Sequence, residues 1–209
     1  MASWGWRYSG STRRPPSEVR IRRELRQAGP RGELLIELLT GKEVLTRIQG
    51  VLNPKYQVHW TAVDLTVKTI YAVDPVGMVD FGGSEYKPAG RVTIASQRYN
   101  REDKYEWWDL SRGCYLVEFK ESLQLADDEV GMLEPEERLL RAGASHTSHF
   151  VRGRVAPIET LLEVNTLRIQ IKQNARISRI RVFKIPVAVA TTQFKIPVEP
   201  PAKKSPKKK

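Results

Sequence analysis

The chain has very little cysteine: Cys114 is the single thiol among 209 residues. One thiol excludes a disulfide within the chain and is typical of a reducing compartment, so we expect a cytoplasmic protein. The surroundings of Cys114, CYLVEF, are typical of a buried strand. We therefore predict that Cys114 packs as a small apolar residue and does not act as a nucleophile.

Long apolar runs are also missing from the sequence. No stretch of about 18 apolar residues occurs, so we expect neither a membrane-spanning helix nor a membrane partner. The N-terminal stretch mixes Arg and Trp and lacks the apolar segment that a secretory signal needs. These two observations agree with the location inferred from the cysteine content.

Several catalytic signatures are absent as well. The sequence contains no phosphate-binding glycine loop and no Ser/His/Asp signature. His146 and His149 lie three residues apart, but no Cys or acidic residue at ligand spacing completes a metal site. We therefore predict no metal site and expect both histidines to be buried and hydrogen-bonded or to face solvent.

The excess positive charge is confined to the two ends of the chain. Residues 1–32 carry eight Arg and two Glu, a net charge of +6, and residues 202–209 carry five Lys, so residues 33–201 are neutral overall. Clustered charge of one sign favours a phosphate polymer through counterion release, although basic tails can also serve only solubility. The predicted nucleic-acid contacts are Trp4, Trp6, Arg7, Arg13, Arg14, Arg20, Arg22, Arg23, Arg26, Arg152, Arg154, Lys203, Lys204, Lys207, Lys208 and Lys209.

Composition predicts three regions. Residues 1–32 form a basic N-terminal extension with a predicted helix at 17–28, residues 33–190 form a β domain, and residues 191–209 form a Pro/Lys-rich tail. Thr40 and Glu43 form a capping box that predicts a helix over 40–49. Pro135 predicts the start of a second short helix, which Gly143 ends.

The remaining pattern is that of a mainly β protein. Short strands with Gly, Pro and Asn turns between them predict a barrel or jelly roll with few helices. The predicted strands are Ala62–Val73, Val92–Ala95, Cys114–Phe119, Leu161–Val164, Leu167–Ile171 and Ile177–Ile185.

The order of these pieces resembles the dCTP deaminase and dUTPase family, particularly its archaeal branch, over residues 38–186. The resemblance rests on LTGKEVLTRIQG, VDLTVKTIY, YLVEF, VGMLEP, ERLLRAG and NARISRIRVFKI. It implies a distorted β-barrel or jelly roll that assembles as a homotrimer, with active sites between subunits. For an active member it also implies Mg²⁺ as cofactor.

The phosphate-binding motif of that family is altered in this chain. Where the family has Arg-Ser-Ser-Leu followed by Arg and Gly, this chain has Glu136, Glu137, Arg138 and, further on, Arg141. Two carboxylates repel a polyanion, so we predict that Arg138 and Arg141 pair with neighbouring acids.

The catalytic motif of the family is altered too. Val151 stands where the motif Asp-Pro-Gly-Tyr-x-Gly begins, and a valine cannot accept a proton. Arg179 stands where the family favours Gln. Glu163 lies near the position of the deaminase general base, and the alternative is a polar strand residue that faces solvent.

Basic residues recur through the last strands. Residues 138–184 hold ten Lys or Arg against Glu159 and Glu163. They form either a solvated sheet face or a phosphate-contacting surface in the place of the family's nucleotide pocket.

Three functions remain open at this point. The first is a non-catalytic relative of the family, without a cofactor, that binds structured RNA through its ends, in particular ribosomal RNA beside ribosomal proteins. The alternative is an active dUTP pyrophosphatase or dCTP deaminase with an altered site, with Glu163 and Arg141 as catalytic residues and Mg²⁺ as cofactor. A protein-binding scaffold is the third.

Overall fold

A computed structural model describes residues 35–73 and 76–185 of the chain. The predicted N-terminal extension, its helix and the Pro/Lys-rich tail lie outside the described residues. The structural findings therefore concern the predicted β domain, and the proposed boundaries of the three regions stay predictions.

The described residues form twelve strands and three short helices. The strands are β1 Glu37–Leu38, β2 Ile48–Gln49, β3 Val63–Val73, β4 Arg91–Thr93, β5 Trp107–Phe119, β6 Ser122–Gln124, β7 Glu129–Pro135, β8 Ala144–His146, β9 His149–Val151, β10 Arg154–Val155, β11 Glu159–Lys172 and β12 Arg176–Lys184. The helices are α1 Gly41–Leu45, α2 Pro54–Gln57 and α3 Glu137–Arg141. The predicted mainly β fold with a few short helices is confirmed.

Most strands join one antiparallel sheet. Its order is β8-β11-β5-β3-β12-β7-β9, with β1 beside β12 and β4 beside β3, while β10, β6 and β2 form a small second sheet. Only Thr147 and Ser148 separate the two end strands β8 and β9 along the chain. The sheet is therefore curled into a half-barrel, which brings its two ends together.

The core lies on the inner face of the curled sheet. Leu65, Ile70, Phe119, Leu133 and Ile180 come from four of its strands and are almost completely buried. Burial of each such side chain stabilises the fold by about 1.5–3 kcal/mol relative to exposure. These inward-facing apolar side chains form the centre of the core.

The first predicted helix is correct at its start and wrong at its end. Both hydrogen bonds of the capping box form, because Thr40 Oγ1 accepts from Glu43 N at 3.4 Å and Glu43 Oε2 accepts from Thr40 N at 2.9 Å. The helix ends at Leu45, and Ile48 instead pairs with Leu123 in the small sheet. Burial of Ile48 against this sheet outweighs continuation of the helix.

The second predicted helix is confirmed at its end and wrong at its start, because Pro135 is the last residue of β7. It spans Glu137–Arg141 and is followed by Gly143, whose positive φ of 85° suits glycine. A Cβ at this position would lie 2.1 Å from Cγ2 of Thr166. Gly143 therefore ends the helix and also allows close contact with β11.

Two predicted strands are one long strand. β11 is continuous over Glu159–Lys172, and its pairing with β5 shifts register between Val164 and Arg168. Residues Asn165 and Thr166 donate their backbone N–H groups to the carbonyl oxygen of Gly143, at 3.0 and 3.3 Å. The bulge at this point explains why the sequence pattern is interrupted.

A buried carboxylate ties the small elements to the sheet. Glu121 accepts hydrogen bonds from Thr66 N at 2.9 Å, Thr66 Oγ1 at 2.7 Å and Gln57 Nε2 at 2.8 Å. Burial raises the pKa of Glu121, while these hydrogen bonds oppose the shift. The contacts fix α2 and β3 against the turn that follows β5.

The predicted burial of Cys114 is wrong. Its side chain is exposed on the outer face of β5. Both faces of the CYLVEF segment carry apolar residues, so the sequence pattern could not tell which face is buried. No helix within the described ranges is long and apolar enough to cross a membrane.

Candidate active site

An open cleft of about 350 Å³ lies on the outer face of β5 and β11. It brings together side chains from both strands and from the β8–β9 connection. The lining residues are Leu116, Thr147, His149, Glu159, Thr160, Leu161 and Glu163. The cleft therefore includes Glu163, one of the two residues predicted for catalysis.

The alternation of β11 places Glu163 in this cleft. Leu162 and Val164 are buried, so Leu161 and Glu163 point outward. Directly across the sheet, Glu163 pairs with Cys114 on β5 and with Ser145 on β8. Residues opposite each other in antiparallel strands share a face, so these three side chains form one row.

Glu163 has no hydrogen bond or ion pair within the described parts of the chain. In contrast, the neighbouring carboxylate of Glu159 contacts Arg91 at 2.5 Å. An unpaired carboxylate at the edge of a cleft is free to accept a proton from water or from a ligand. Of the cleft carboxylates, Glu163 is therefore the one available for chemistry.

A second carboxylate on the same sheet face is fully engaged. Glu118 accepts from Lys68 Nζ at 2.5 Å and from the Tyr71 hydroxyl at 2.8 Å. The hydrogen bond from Lys68 lowers the pKa of Glu118, which burial alone would raise. This carboxylate is thus a structural part of the sheet surface.

The two histidines of this region have different surroundings. His146 is only 4% exposed, and burial lowers its pKa. Its Nε2 has no hydrogen-bond partner among the described residues. His149 lines the cleft, with its Nδ1 at 3.3 Å from the carbonyl oxygen of Thr147. Only His149 can therefore contact a ligand there.

The side chains present do not form a magnesium site. Magnesium is usually held by one or two carboxylates together with substrate phosphates. Across the described ranges, no group of three or more His, Cys, Asp or Glu side chains could hold a metal ion. Glu163 is the only cleft carboxylate without a partner in that part of the chain, and one carboxylate alone does not fit the usual magnesium site.

Asp64 on β3 is surrounded by basic side chains. It is 1% exposed and accepts from His59 Nε2 at 2.7 Å, Arg176 Nη1 at 3.2 Å and Arg179 Nε at 2.9 Å. Arg179 also reaches Glu136 at 3.5 Å. Arg179, which replaces the glutamine of the family, is thus held inside the protein.

The acidic and basic side chains of the altered motif around α3 form ion pairs with one another. Glu136 Oε2 accepts from Arg138 N at 2.8 Å and from Arg138 Nε at 3.1 Å, while Arg141 contacts Glu137 at 2.5 Å. Burial raises the pKa of Glu136, but the hydrogen bonds from Arg138 outweigh burial and lower it. The predicted pairing of Arg138 and Arg141 with neighbouring acids is confirmed. Arg141 is not among the residues that line the cleft.

The basic residues of β11 and β12 have partners within the chain. The additional contacts are Arg168 with Asp109, Arg181 with Glu134, Lys184 with Asp128 and Lys172 over the ring of Trp107. Together with the Asp64 cluster they favour a charge-balanced sheet face over a phosphate-contacting surface.

The predicted nucleic-acid contacts fall into two groups. Arg152 and Arg154 are exposed, and neither has an ion pair with another described residue. The other predicted contacts, in residues 4–26 and 203–209, lie outside the described residues.

Val151, which replaces the catalytic acid of the family, pairs with Gly131 in β7.

Several cleft residues could not be found from the sequence. Leu116, Thr147 and Glu159 carry no motif, and their neighbours depend on the pairing of β5, β8 and β11. Alternation does predict the outward direction of Leu161 once Leu162 is assigned to the core. Strand pairing was therefore the missing information.

Comparison with protein families finds no family model that matches the chain. The chain is 28% identical over 140 residues to a probable deoxyuridine 5′-triphosphate nucleotidohydrolase of Methanosarcina acetivorans, covering 66% of this chain and 78% of that protein. A deoxyuridine 5′-triphosphate nucleotidohydrolase of Methanocaldococcus jannaschii is 29% identical over 89 residues, covering 43% of this chain and 54% of that protein.

A solved structure shares the fold. The crystal structure of 2′-deoxycytidine 5′-triphosphate deaminase from Agrobacterium tumefaciens has a TM-score of 0.55 and 18% identity, and 71% of this chain is covered. This chain spans about half, 48%, of the length of that deaminase. The archaeal relatives and the shared fold confirm the resemblance to the dCTP deaminase and dUTPase family that the order of the sequence motifs indicates.

Proposed function

We propose that the chain is a hydrolase of pyrimidine deoxynucleosides or deoxynucleotides and that Glu163 is its general base. The observation that carries the proposal is the unpaired, outward-facing Glu163 carboxylate in an open cleft. The archaeal relatives are named deoxyuridine 5′-triphosphate nucleotidohydrolases, which supports a pyrimidine deoxynucleotide as the ligand class.

The cleft residues suit this chemistry. Leu116 and Leu161 give the lining an apolar part that fits the face of a pyrimidine ring. Thr147 and His149 supply hydrogen-bonding groups next to it. In the proposed reaction Glu163 accepts a proton from water, and the water oxygen attacks the electrophilic atom of the substrate. The bond to the leaving group then breaks, which releases pyrophosphate after attack at phosphorus, or ammonia, with the proton it needs, after attack at C4 of a cytosine ring.

Product analysis tests this proposal. The full chain is incubated with dUTP, dCTP, dCMP and deoxycytidine, with and without magnesium, and the products are separated. Formation of dUMP and pyrophosphate from dUTP indicates attack at phosphorus, and release of ammonia from a cytosine substrate indicates attack at C4 of the ring. Either product supports hydrolysis, whereas turnover at the protein-free background for the whole panel rejects it.

We also propose that the charged ends bind structured RNA, with ribosomal RNA as the preferred class. The supporting observation is the charge distribution, because residues 1–32 and 202–209 hold the whole net charge of +11. The exposed Arg152 and Arg154 add two guanidinium groups without an acidic partner in the described residues. Guanidinium and ammonium groups neutralise phosphates and release counterions.

We expect deletion of residues 1–32 and 202–209 to abolish co-sedimentation with ribosomes. Binding by the full chain should weaken steeply between 50 and 200 mM salt, because phosphate contacts lose affinity as salt rises. The measurement is the bound fraction of full and truncated chains over a salt series, and circular dichroism verifies that the truncated chain is folded. Undiminished binding after both deletions contradicts the role of the ends.

A further inference from the structure

We propose that His146 is an acid-sensitive latch at the seam of the half-barrel, and that protonation of its ring releases the β8–β9 connection from the core and opens the cleft. The seam consists of residues 144–151, where the two end strands of the sheet are joined by Thr147 and Ser148. The inference is independent of the proposed reaction, because it follows from the geometry of two histidines and one carbonyl group.

The carbonyl oxygen of Thr147 fixes the tautomer of both histidine rings. Nδ1 of His146 lies 3.2 Å from this oxygen, and Nδ1 of His149 lies 3.3 Å from it. A carbonyl oxygen only accepts hydrogen bonds, so each Nδ1 carries the hydrogen atom. A neutral imidazole has one N–H group, and Nε2 of each ring is therefore an unprotonated acceptor.

The two Nε2 atoms belong to rings with different surroundings. His149 lines the open cleft, where water can reach its ring. His146 is 4% exposed, and its cross-strand partner on β11 is the fully buried Leu162. Its Nε2 is buried and has no hydrogen-bond partner among the described residues. Protonation there places an N–H group and a positive charge in the core without an acceptor, which is costly.

Carboxylates on the elements packed against β8, which are β11, α3 and β7, do not offset this charge. Glu163 of β11 lies on the opposite sheet face from Leu162 and His146. The acids of α3 and β7 are held in ion pairs, which are Glu136 with Arg138, Glu137 with Arg141, Glu134 with Arg181 and Glu129 with Arg47. The titratable group that acts on the charge of His146 in the described ranges is thus His149.

These surroundings make the closed seam sensitive to acid. Burial lowers the pKa of His146, and His149 lowers it further, while the hydrogen bond to Thr147 opposes the shift. In an opened or unfolded chain the pKa returns to about 6.5. Below that pH the opened chain binds a proton that the closed chain excludes. The stability of the seam is therefore complete above this pH and falls as the pH falls.

Release of the ring changes the cleft. The protonated ring keeps its Nδ1–H group for Thr147, but its new Nε2–H group needs an acceptor, which water supplies at the surface. Because the seam is short, movement of His146 out of the core also moves Thr147 and His149, which both line the cleft. The latch therefore connects the protonation of one core residue to the shape of the candidate site.

Hydrogen exchange of the full chain between pH 7.5 and 5.5 tests the inference. After correction for intrinsic exchange rates, the protection of amides in residues 144–149 should fall by up to tenfold for each pH unit below about 6.5. Ring ¹H–¹⁵N spectra of the three histidines should show an Nδ1–H tautomer for His146 at pH 7.5. An Nε2–H tautomer, or protonation of His146 with undiminished protection of the seam, overturns the latch.

Substitution identifies the residue responsible. His146→Leu should remove the pH dependence of protection, because leucine has a similar volume and does not titrate. His149→Leu is the matched control, since it removes the other contact with Thr147 but lies in the open cleft, and it should keep the pH dependence. The reverse result for either variant contradicts the assignment. If circular dichroism shows that His146→Leu is unfolded, the spectra and exchange of the original chain decide.

Discussion

Replacement of Glu163 by glutamine is expected to lower kcat by roughly 10²–10⁴-fold for the best substrate of the pyrimidine panel. The amide keeps the shape of the side chain but cannot accept the proton of the attacking water. Because Glu163 is exposed and has no partner among the described residues, its replacement should leave the free energy of unfolding within about 0.5 kcal/mol of the original chain. A large loss of kcat with unchanged stability would identify a chemical role.

The measurement is steady-state kinetics of the Glu163→Gln variant beside chemical denaturation of the same preparation. Glu102→Gln provides the control, because Glu102 is also exposed and no hydrogen bond or ion pair involves it in the described ranges. Its kcat should remain unchanged. If the Glu163→Gln variant retains more than about a tenth of the original kcat, Glu163 is not the base.

Replacement of Asp64 by asparagine is expected to destabilise the fold by about 3–5 kcal/mol. Asp64 is buried and is contacted by His59, Arg176 and Arg179. Loss of its charge leaves the two guanidinium groups close together without their shared carboxylate. Arg179 retains only a longer contact with Glu136, at 3.5 Å, which cannot replace the lost interaction.

Urea denaturation of the Asp64→Asn variant measures this loss as a shift of the unfolding midpoint. Asp127→Asn is the matched control, since Asp127 is exposed and forms no ion pair within the described residues, and it should change stability by less than about 0.5 kcal/mol. Arg179→Met should cost less than Asp64→Asn, because Asp64 would keep Arg176 and His59. Equal midpoints for Asp64→Asn and Asp127→Asn would refute a structural role for this cluster.

Features set by neighbouring residues in the chain were predictable from the sequence. The capping box at Thr40 and the helix end at Gly143 are examples, because each needs only a few consecutive residues. The error at Ile48 arose because that residue pairs with Leu123, which is distant in sequence. Local helix signals do not contain that information.

The candidate site was predictable only in part. Glu163 was identified through its place in a family motif and the alternation of its strand. Its environment depends on the pairing with Cys114 and Ser145, which come from two other strands. The exposure of Cys114 could not be inferred either, because both faces of its segment are apolar and the sheet alone determines which is covered.

The bulge in β11 divides that strand into two independent registers. On one side Glu163 lies opposite Cys114, and on the other Ile169 lies opposite Leu110. Because residues 165–167 absorb the mismatch, a change in length within this segment can shift one half while the other keeps its alternation. Both halves contribute to the core, through Leu162 and Val164 on one side and Ile169 and Ile171 on the other, so the bulge lets each half keep its own inward-facing residues.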